Sequence, residues 1–209
     1  MGSSYGQACG KDFRLWSTDS IGNSVAMSDA RVIFLNGAPS VGKSSTARAL
    51  HELLDQPHFY LGLDEFRRGY RDQVWLSDDG ALFRRMVEVY LQTLAIMVRA
   101  GHSVIAEATL TPRNRQLYLD VYVDLPVIFV GLTCPLEVAQ AREATRGDRR
   151  RGPMDLDVPE FHNLHDHGCY DAEIDTASIT PRQAAELIIP VLADPPTPSA
   201  FDRLRSEVV

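Results

Sequence analysis

The chain has 209 residues, a formal net charge of −7 and a pI near 5.3. That length suits one compact domain with a real core. The acidic balance argues against nucleic-acid or anionic-membrane partners, which need clustered positive charge, and no stretch approaches the roughly 18 to 20 apolar residues of a membrane helix; a small-molecule partner is expected.

Cys9, Cys134 and Cys169 form an odd set without metal-type pair spacing, and Cys134 lies in an apolar run that reads as buried. With no basic segment leading into an apolar one at the N-terminus, the chain reads as cytoplasmic. The lysines are Lys11 and Lys43 alone, so Arg supplies nearly all the positive charge.

Residues 1–29 are rich in Gly, Ser, Asn and Asp without periodicity and read as a flexible leader, with Met27 a possible natural start. The apolar run Val32-Ile33-Phe34-Leu35 then leads through Gly37-Ala38-Pro39-Ser40-Val41-Gly42 into a helix over 43–54. A strand at 59–63, a long helix over 81–100 and a strand at 103–106 follow. Pro112 suits the first turn of a helix toward Val121, the run at 127–133 reads as a strand buried on both faces, and Pro135 opens the next helix. A break at Gly147-Asp148 ends that helix, a short helix precedes a strand at 172–174, and a helix over 181–191 closes the domain.

Five such strands alternating with helices predict a parallel sheet covered on both faces, with the working site at the C-terminal strand ends. The division expected is a leader over 1–29, one α/β domain over 30–193 that carries the Gly37–Ser44 P-loop, and a loose Pro-rich tail over 194–209.

Gly37-x-x-x-x-Gly42-Lys43-Ser44 is a complete phosphate loop in its required place between strand and helix. The loop of Gly37, Ala38, Pro39, Ser40, Val41 and Gly42 curls so that its backbone N–H groups, and those of the helix start through Ser45, face the phosphates. Lys43 puts a charge beside the β/γ bridge, and Ser44 is a Mg²⁺ ligand.

Phosphoryl transfer needs a carboxylate to orient the acceptor hydroxyl and receive its proton. Asp64, just beyond the second strand, is the candidate base; its alternative role is an N-cap for a turn starting at Glu65. Glu107, ending the third strand, is placed to hold Mg²⁺ through water or to meet the substrate.

Arg142, Arg146 and Arg149 follow helical spacing into the Gly147-Asp148 break and form a candidate lid over the phosphates, Arg150 and Arg151 less so. Solvated cations at a helix C-terminus are the plain alternative. Glu65, Arg67, Arg68, Tyr70, Arg71 and Trp75 are candidate acceptor-pocket walls, or a surface loop. His162, His165, His167 and Cys169 match no well-formed zinc pattern.

Leu35 to Ser44, Gly62-Leu63-Asp64, Arg142-Glu143-x-x-Arg146-Gly147-Asp148-Arg149, His165-x-x-Gly168-x-Tyr170-Asp171 and Ile174-Asp175-Thr176 together resemble the chloramphenicol phosphotransferase family over residues 31–192. The resemblance implies a nucleotide-kinase-like fold, ATP-dependent phosphorylation of an antibiotic hydroxyl in self-resistance, a base at Asp64 and phosphate-contacting arginines at Arg146 and Arg149. Two departures stand at the acceptor side: a shorter segment after Asp64, and Glu107 where the chloramphenicol enzyme has paired aspartates.

A housekeeping nucleoside, sugar or metabolite kinase would use the same parts, and a nucleotide-dependent switch is the reading from another class. A base candidate and an arginine lid favour transfer over switching. ATP against GTP, the acceptor and the oligomeric state stay open.

Overall fold

The computed structural model describes residues 30–70, 80–146 and 155–207. The expected leader, Cys9, Arg71, Trp75 and the arginines Arg149, Arg150 and Arg151 lie outside the described residues. The expectation of a short Arg-rich lid therefore rests, among the described residues, on Arg142 and Arg146.

The elements run β1 (Val32–Asn36), α1 (Lys43–Leu53), β2 (Phe59–Gly62), α2 (Leu63–Arg67), α3 (Ala81–Arg99), β3 (Val104–Ala108), α4 (Arg115–Val121), β4 (Val127–Thr133), α5 (Leu136–Ala144), α6 (Pro159–His162), a 3₁₀ turn (Asn163–His165), β5 (Ala172–Asp175), α7 (Pro181–Ala193) and α8 (Ala200–Ser206). The five strands form one sheet in the order β2-β3-β1-β4-β5, and every pairing is parallel.

The pairing of β1 explains why Val32–Leu35 is apolar. The strand pairs on both sides, Val32 with Val104 and Val127, and each side chain meets a covered face. Val32 and Phe34 join the core beneath α3, α4 and α8, while Ile33 and Leu35 join the opposite core beneath α1 and α7. The helices match this with apolar stripes, Met86, Val87, Tyr90, Leu91, Leu94, Ala95 and Val98 on α3 and Ala184, Ala185 and Ile188 on α7. The expected doubly covered parallel sheet is thus observed. Among the described residues, no helix is long and apolar enough to cross a membrane.

Because β3 and β4 flank β1 on opposite sides, the chain leaves β1 at the point where the sheet reverses its winding. A crevice opens there at the C-terminal strand ends.

The structure corrects several expectations. The second strand stops at Gly62, since Leu63 already begins α2. Pro112 precedes α4, which starts at Arg115 after a turn held by Asn114 Oδ1 accepting from the Thr111 N–H at 2.7 Å. Cys134, read as buried, is half-buried, whereas Cys169 is buried.

The tail is not loose. Ser199 caps α8 with its hydroxyl, and Ala200, Phe201 and Leu204 are fully buried. Phe201 stands edge-on to Phe129 at 5.0 Å and to Phe34 at 6.3 Å. Asp171 Oδ1 accepts from the Ala200 N–H and Oδ2 from the Phe129 N–H, at 2.7 and 2.8 Å, fastening α8 to β4. Pro195, Pro196 and Pro198 thus form a connector to a docked helix.

Replacing Phe201 by Ala deletes a ring at the junction of β1, β4 and α8. Phe201→Ala is expected to lower unfolding free energy by about 3 kcal/mol, read from urea denaturation, where a tail without packing would leave the curve unmoved.

Candidate active site

The loop after β1 turns through two residues in the left-handed region, Ser40 (φ 60°) and Gly42 (φ 107°), the latter capping α1. Gly42 meets this conformation without a Cβ penalty. The curl aims the first N–H groups of α1 into the crevice, an anion-binding arrangement. Lys43 Nζ donates to the Gly37 and Ala38 carbonyls, each at 2.8 Å, so its charge sits inside the loop.

Ser44, on the first turn of α1, donates its hydroxyl to Glu107 Oε2 at 2.9 Å. Glu107 lies within β3, opposite Leu35 of β1 and Gly62 of β2, and is buried. A carboxylate in that position needs hydrogen-bond donors. The Tyr60 hydroxyl supplies the second, to Oε1 at 3.0 Å, while burial pushes the Tyr60 phenol well above its ordinary range. Gly62 leaves the space, since a Cβ there would stand 2.5 Å from Glu107 Oε1. A hydroxyl and a carboxylate 2.9 Å apart beside a phosphate loop form an all-oxygen pair of the kind that suits Mg²⁺.

Asp64 sits on the first turn of α2, whose N-cap is Gly62; the alternative of Asp64 as N-cap to a turn beginning at Glu65 is therefore set aside. Asp64 Oδ1 meets Arg67 Nη1 at 3.0 Å and Oδ2 meets Arg146 Nη2 at 3.7 Å. Glu65 also borders the cleft: Oε1 pairs with Arg48 at 3.0 Å, and Oε2 accepts from the Gly62 N–H.

Arg142, Arg146 and Arg149 were expected on one helical face, but α5 ends at Ala144. The Thr145 hydroxyl turns back to the Arg142 carbonyl, and the Arg146 N–H reaches only three residues back, to Glu143. Arg146 thus leaves the helix and comes to Asp64. Arg142 stays at the loop, donating to the Val41 carbonyl at 3.3 Å and the Thr176 carbonyl at 2.7 Å.

These groups border a cleft of about 810 Å³. One end is lined by the loop, Arg142, Thr176, Thr180 and Pro181; the other by Leu63, Asp64, Arg67, Arg68, Phe83, Val87, Thr111, Tyr118, Arg146 and Phe161. Tyr70 is exposed and pairs its ring with Phe66 at 6.0 Å.

Four residues at the site escaped the sequence reading. Glu143 is buried and accepts a hydrogen bond from the Ser40 hydroxyl. Thr176 donates to the Val41 carbonyl at 2.6 Å, and Thr109 donates to the Gly37 carbonyl at 3.1 Å. Asn36, buried at the end of β1, accepts from the Leu110 N–H and donates to the Tyr170 hydroxyl, both at 2.8 Å. Asn36, Glu143 and Thr176 lie within the motifs that carry the family resemblance, but charge and spacing along the chain do not signal partners so distant in sequence.

The histidines join this hydrogen-bonding. His165 Nδ1 lies 2.7 Å from the Tyr170 hydroxyl, and burial pushes its imidazole below the usual range; His162 meets Asp157 at 2.7 Å. Among the described residues, no three His, Cys, Asp or Glu stand together as metal ligands.

Residues 30–193 match the model of the family described as chloramphenicol phosphotransferase-like protein. The chain belongs to the chloramphenicol phosphotransferase-like family. A relative in Mycobacterium tuberculosis (strain ATCC 25618 / H37Rv), named "Putative O-phosphotransferase Rv2636", is 24% identical over 204 residues, covering 86% of this chain and 89% of the relative.

The fold is shared with the Mycobacterium tuberculosis APS kinase CysC solved with AMPPNP and APS, at a TM-score of 0.64 and 18% identity over 79% of this chain and 99% of that one. It is shared as well with the Acinetobacter baumannii shikimate kinase solved with shikimate, at 0.59 and 19% over 78% and 93%. Family and fold make this chain a small-molecule kinase, a phosphotransferase with an alcohol group as acceptor.

Since Gly62 makes room for the Glu107 carboxylate, Gly62→Ala should force β2 and β3 apart or displace Glu107 from Ser44. A loss of roughly 1 to 3 kcal/mol in chemical denaturation is expected; unchanged stability would mean that the carboxylate relocates freely.

Proposed function

We propose that this family member transfers the γ-phosphoryl group of ATP or GTP, with Mg²⁺, to a hydroxyl of a small molecule, an antibiotic being the first choice of acceptor. The observation that carries the reading is that one cleft brings together the Lys43 loop, the Ser44–Glu107 pair and the Asp64 carboxylate with Arg146.

Each group has a task in such a transfer. The loop N–H groups bind the phosphate chain and Lys43 offsets charge at its β/γ end. Ser44 and Glu107 would hold Mg²⁺, directly or through water, and the ion when bound neutralises charge on the transferring group. Asp64 orients the acceptor hydroxyl and takes its proton as the oxygen-to-phosphorus bond forms and the bond to the bridging oxygen breaks. Arg146, 3.7 Å from Asp64 and next to the loop's anchoring helix, is placed to meet the phosphates as the cleft fills. Arg149 is proposed for the same phosphate-contacting role on the family resemblance alone.

The far end of the cleft supports an acceptor with an apolar or aromatic body. Phe83 and Phe161 offer ring area and Leu63 aliphatic area, beside polar groups that include Asp64, Arg67, Arg68, Thr111, Asn114 and Glu160.

The test is incubation with Mg²⁺ and ATP or GTP against a panel of hydroxylated antibiotics, nucleosides and sugars, read by mass spectrometry as a gain of about 80 Da for one phosphoryl group. Phosphorylated antibiotic is expected, with Asp64→Ala slowing transfer by about 10² to 10⁴ fold. A nucleoside or sugar as the sole product would replace the resistance reading with a metabolic one.

A further inference from the structure

Ser40 stands out in the loop. Among the described residues it is the one non-glycine residue with positive φ, 60°. A side chain there crowds the backbone, and an L-residue ordinarily leaves this conformation unless something holds it. Yet the curl needs it, because alternation of right- and left-handed residues turns successive N–H groups toward one anion.

What holds it comes from another element. The Ser40 hydroxyl donates to a carboxylate oxygen of Glu143, which is 1% exposed, on the last turn of α5. A hydrogen bond to a carboxylate out of water is of the strong class. The preceding residue, Arg142, donates from the same helix to the carbonyl of Val41, next to Ser40. Thr176 donates to that carbonyl too, and Arg142 holds Thr176 through its carbonyl and hydroxyl. Two consecutive residues of α5 thus grip two consecutive residues at the crown of the loop, one by side chain and one by backbone.

We infer that Glu143 is a positioning residue for nucleotide binding: through Ser40 it keeps the crown of the phosphate loop in the left-handed turn that aims its N–H groups at phosphate. Glu143 need not touch the nucleotide to do this. The role rests on the nucleotide site proposed above. It also places α5, from which Arg146 departs, in control of the loop.

A double-mutant cycle read by calorimetric binding of ATP with Mg²⁺ tests this without knowledge of the acceptor. Glu143→Ala is expected to weaken binding about tenfold, the scale of a left-handed L-residue left unsupported. Ser40→Gly, which adopts the turn without support, is the second background, and its own affinity is the reference for the other half of the cycle. Glu143→Ala added to Ser40→Gly should then cost less than about twofold more. An equal penalty in both backgrounds would overturn the inference, because Glu143 would be acting elsewhere than through Ser40.

Should Glu143→Ala fail to fold, Glu143→Gln keeps the shape and a neutral acceptor. A loss of about threefold beside Ser40 and none beside Ser40→Gly supports the role, and equal losses overturn it. Absence of nucleotide binding by the unaltered protein is a separate result, and it would remove the proposed function together with this inference.

Discussion

A carboxylate buried within a parallel sheet is tolerable only if donors surround it, and the site is organised by that constraint at Glu107. Its donors come from two different elements, Ser44 on α1 and Tyr60 on β2, while Gly62 leaves the room. Satisfying Glu107 therefore sets the first turn of α1 against β3 and fixes the spacing of β2 to β3. Asp64 follows directly, because α2 begins at the residue after Gly62. The positions of the phosphate loop's hydroxyl and of the proposed base are thus two consequences of one buried group.

The loop is secured from its other side by the second half of the chain. Arg142, Glu143 and Thr176 hold Val41 and Ser40, and Asn36 at the loop's entry is tied to Tyr170 and from there to His165. The C-terminal helix completes this side: Arg203 donates to the Tyr170 carbonyl at 3.0 Å, and Asp171 bridges Phe129 of β4 to Ala200. Burial pushes the Asp171 carboxyl up, while its two backbone hydrogen bonds oppose that shift. Residues far apart in the chain thus converge on the phosphate loop.

Membership of the chloramphenicol phosphotransferase-like family and the fold shared with kinases of unrelated acceptors have a common physical basis. The phosphate-handling end is built on the sheet and α1, whereas the far end of the cleft is walled by α2, α3, α4 and α6, which lie outside the sheet. Such walls can change without disturbing the loop, so the acceptor is the part least constrained by the fold.

Much of this architecture was legible in the residues alone. Apolar runs at Val32–Leu35 and Val127–Thr133, helical stripes and the Gly37 to Ser44 spacing each carry information within a few residues of themselves, and the parallel sheet, the loop and the places of Asp64 and Glu107 followed from them. What escaped depends on partners distant in sequence. Ser40 and Glu143 are 103 residues apart, and nothing local distinguishes that glutamate from one on a solvated helix face. Phe201 looked like part of a Pro-rich tail because its burial is created by Phe34 and Phe129. The end of α5 at Ala144, which turns Arg146 toward Asp64, was hidden in a run whose charges continue the helical spacing. Periodicity and loop motifs are local properties of a chain, so the sequence determined the elements and the phosphate loop. Which buried polar groups satisfy one another is settled only when distant segments leave water together, and that choice belongs to the tertiary structure.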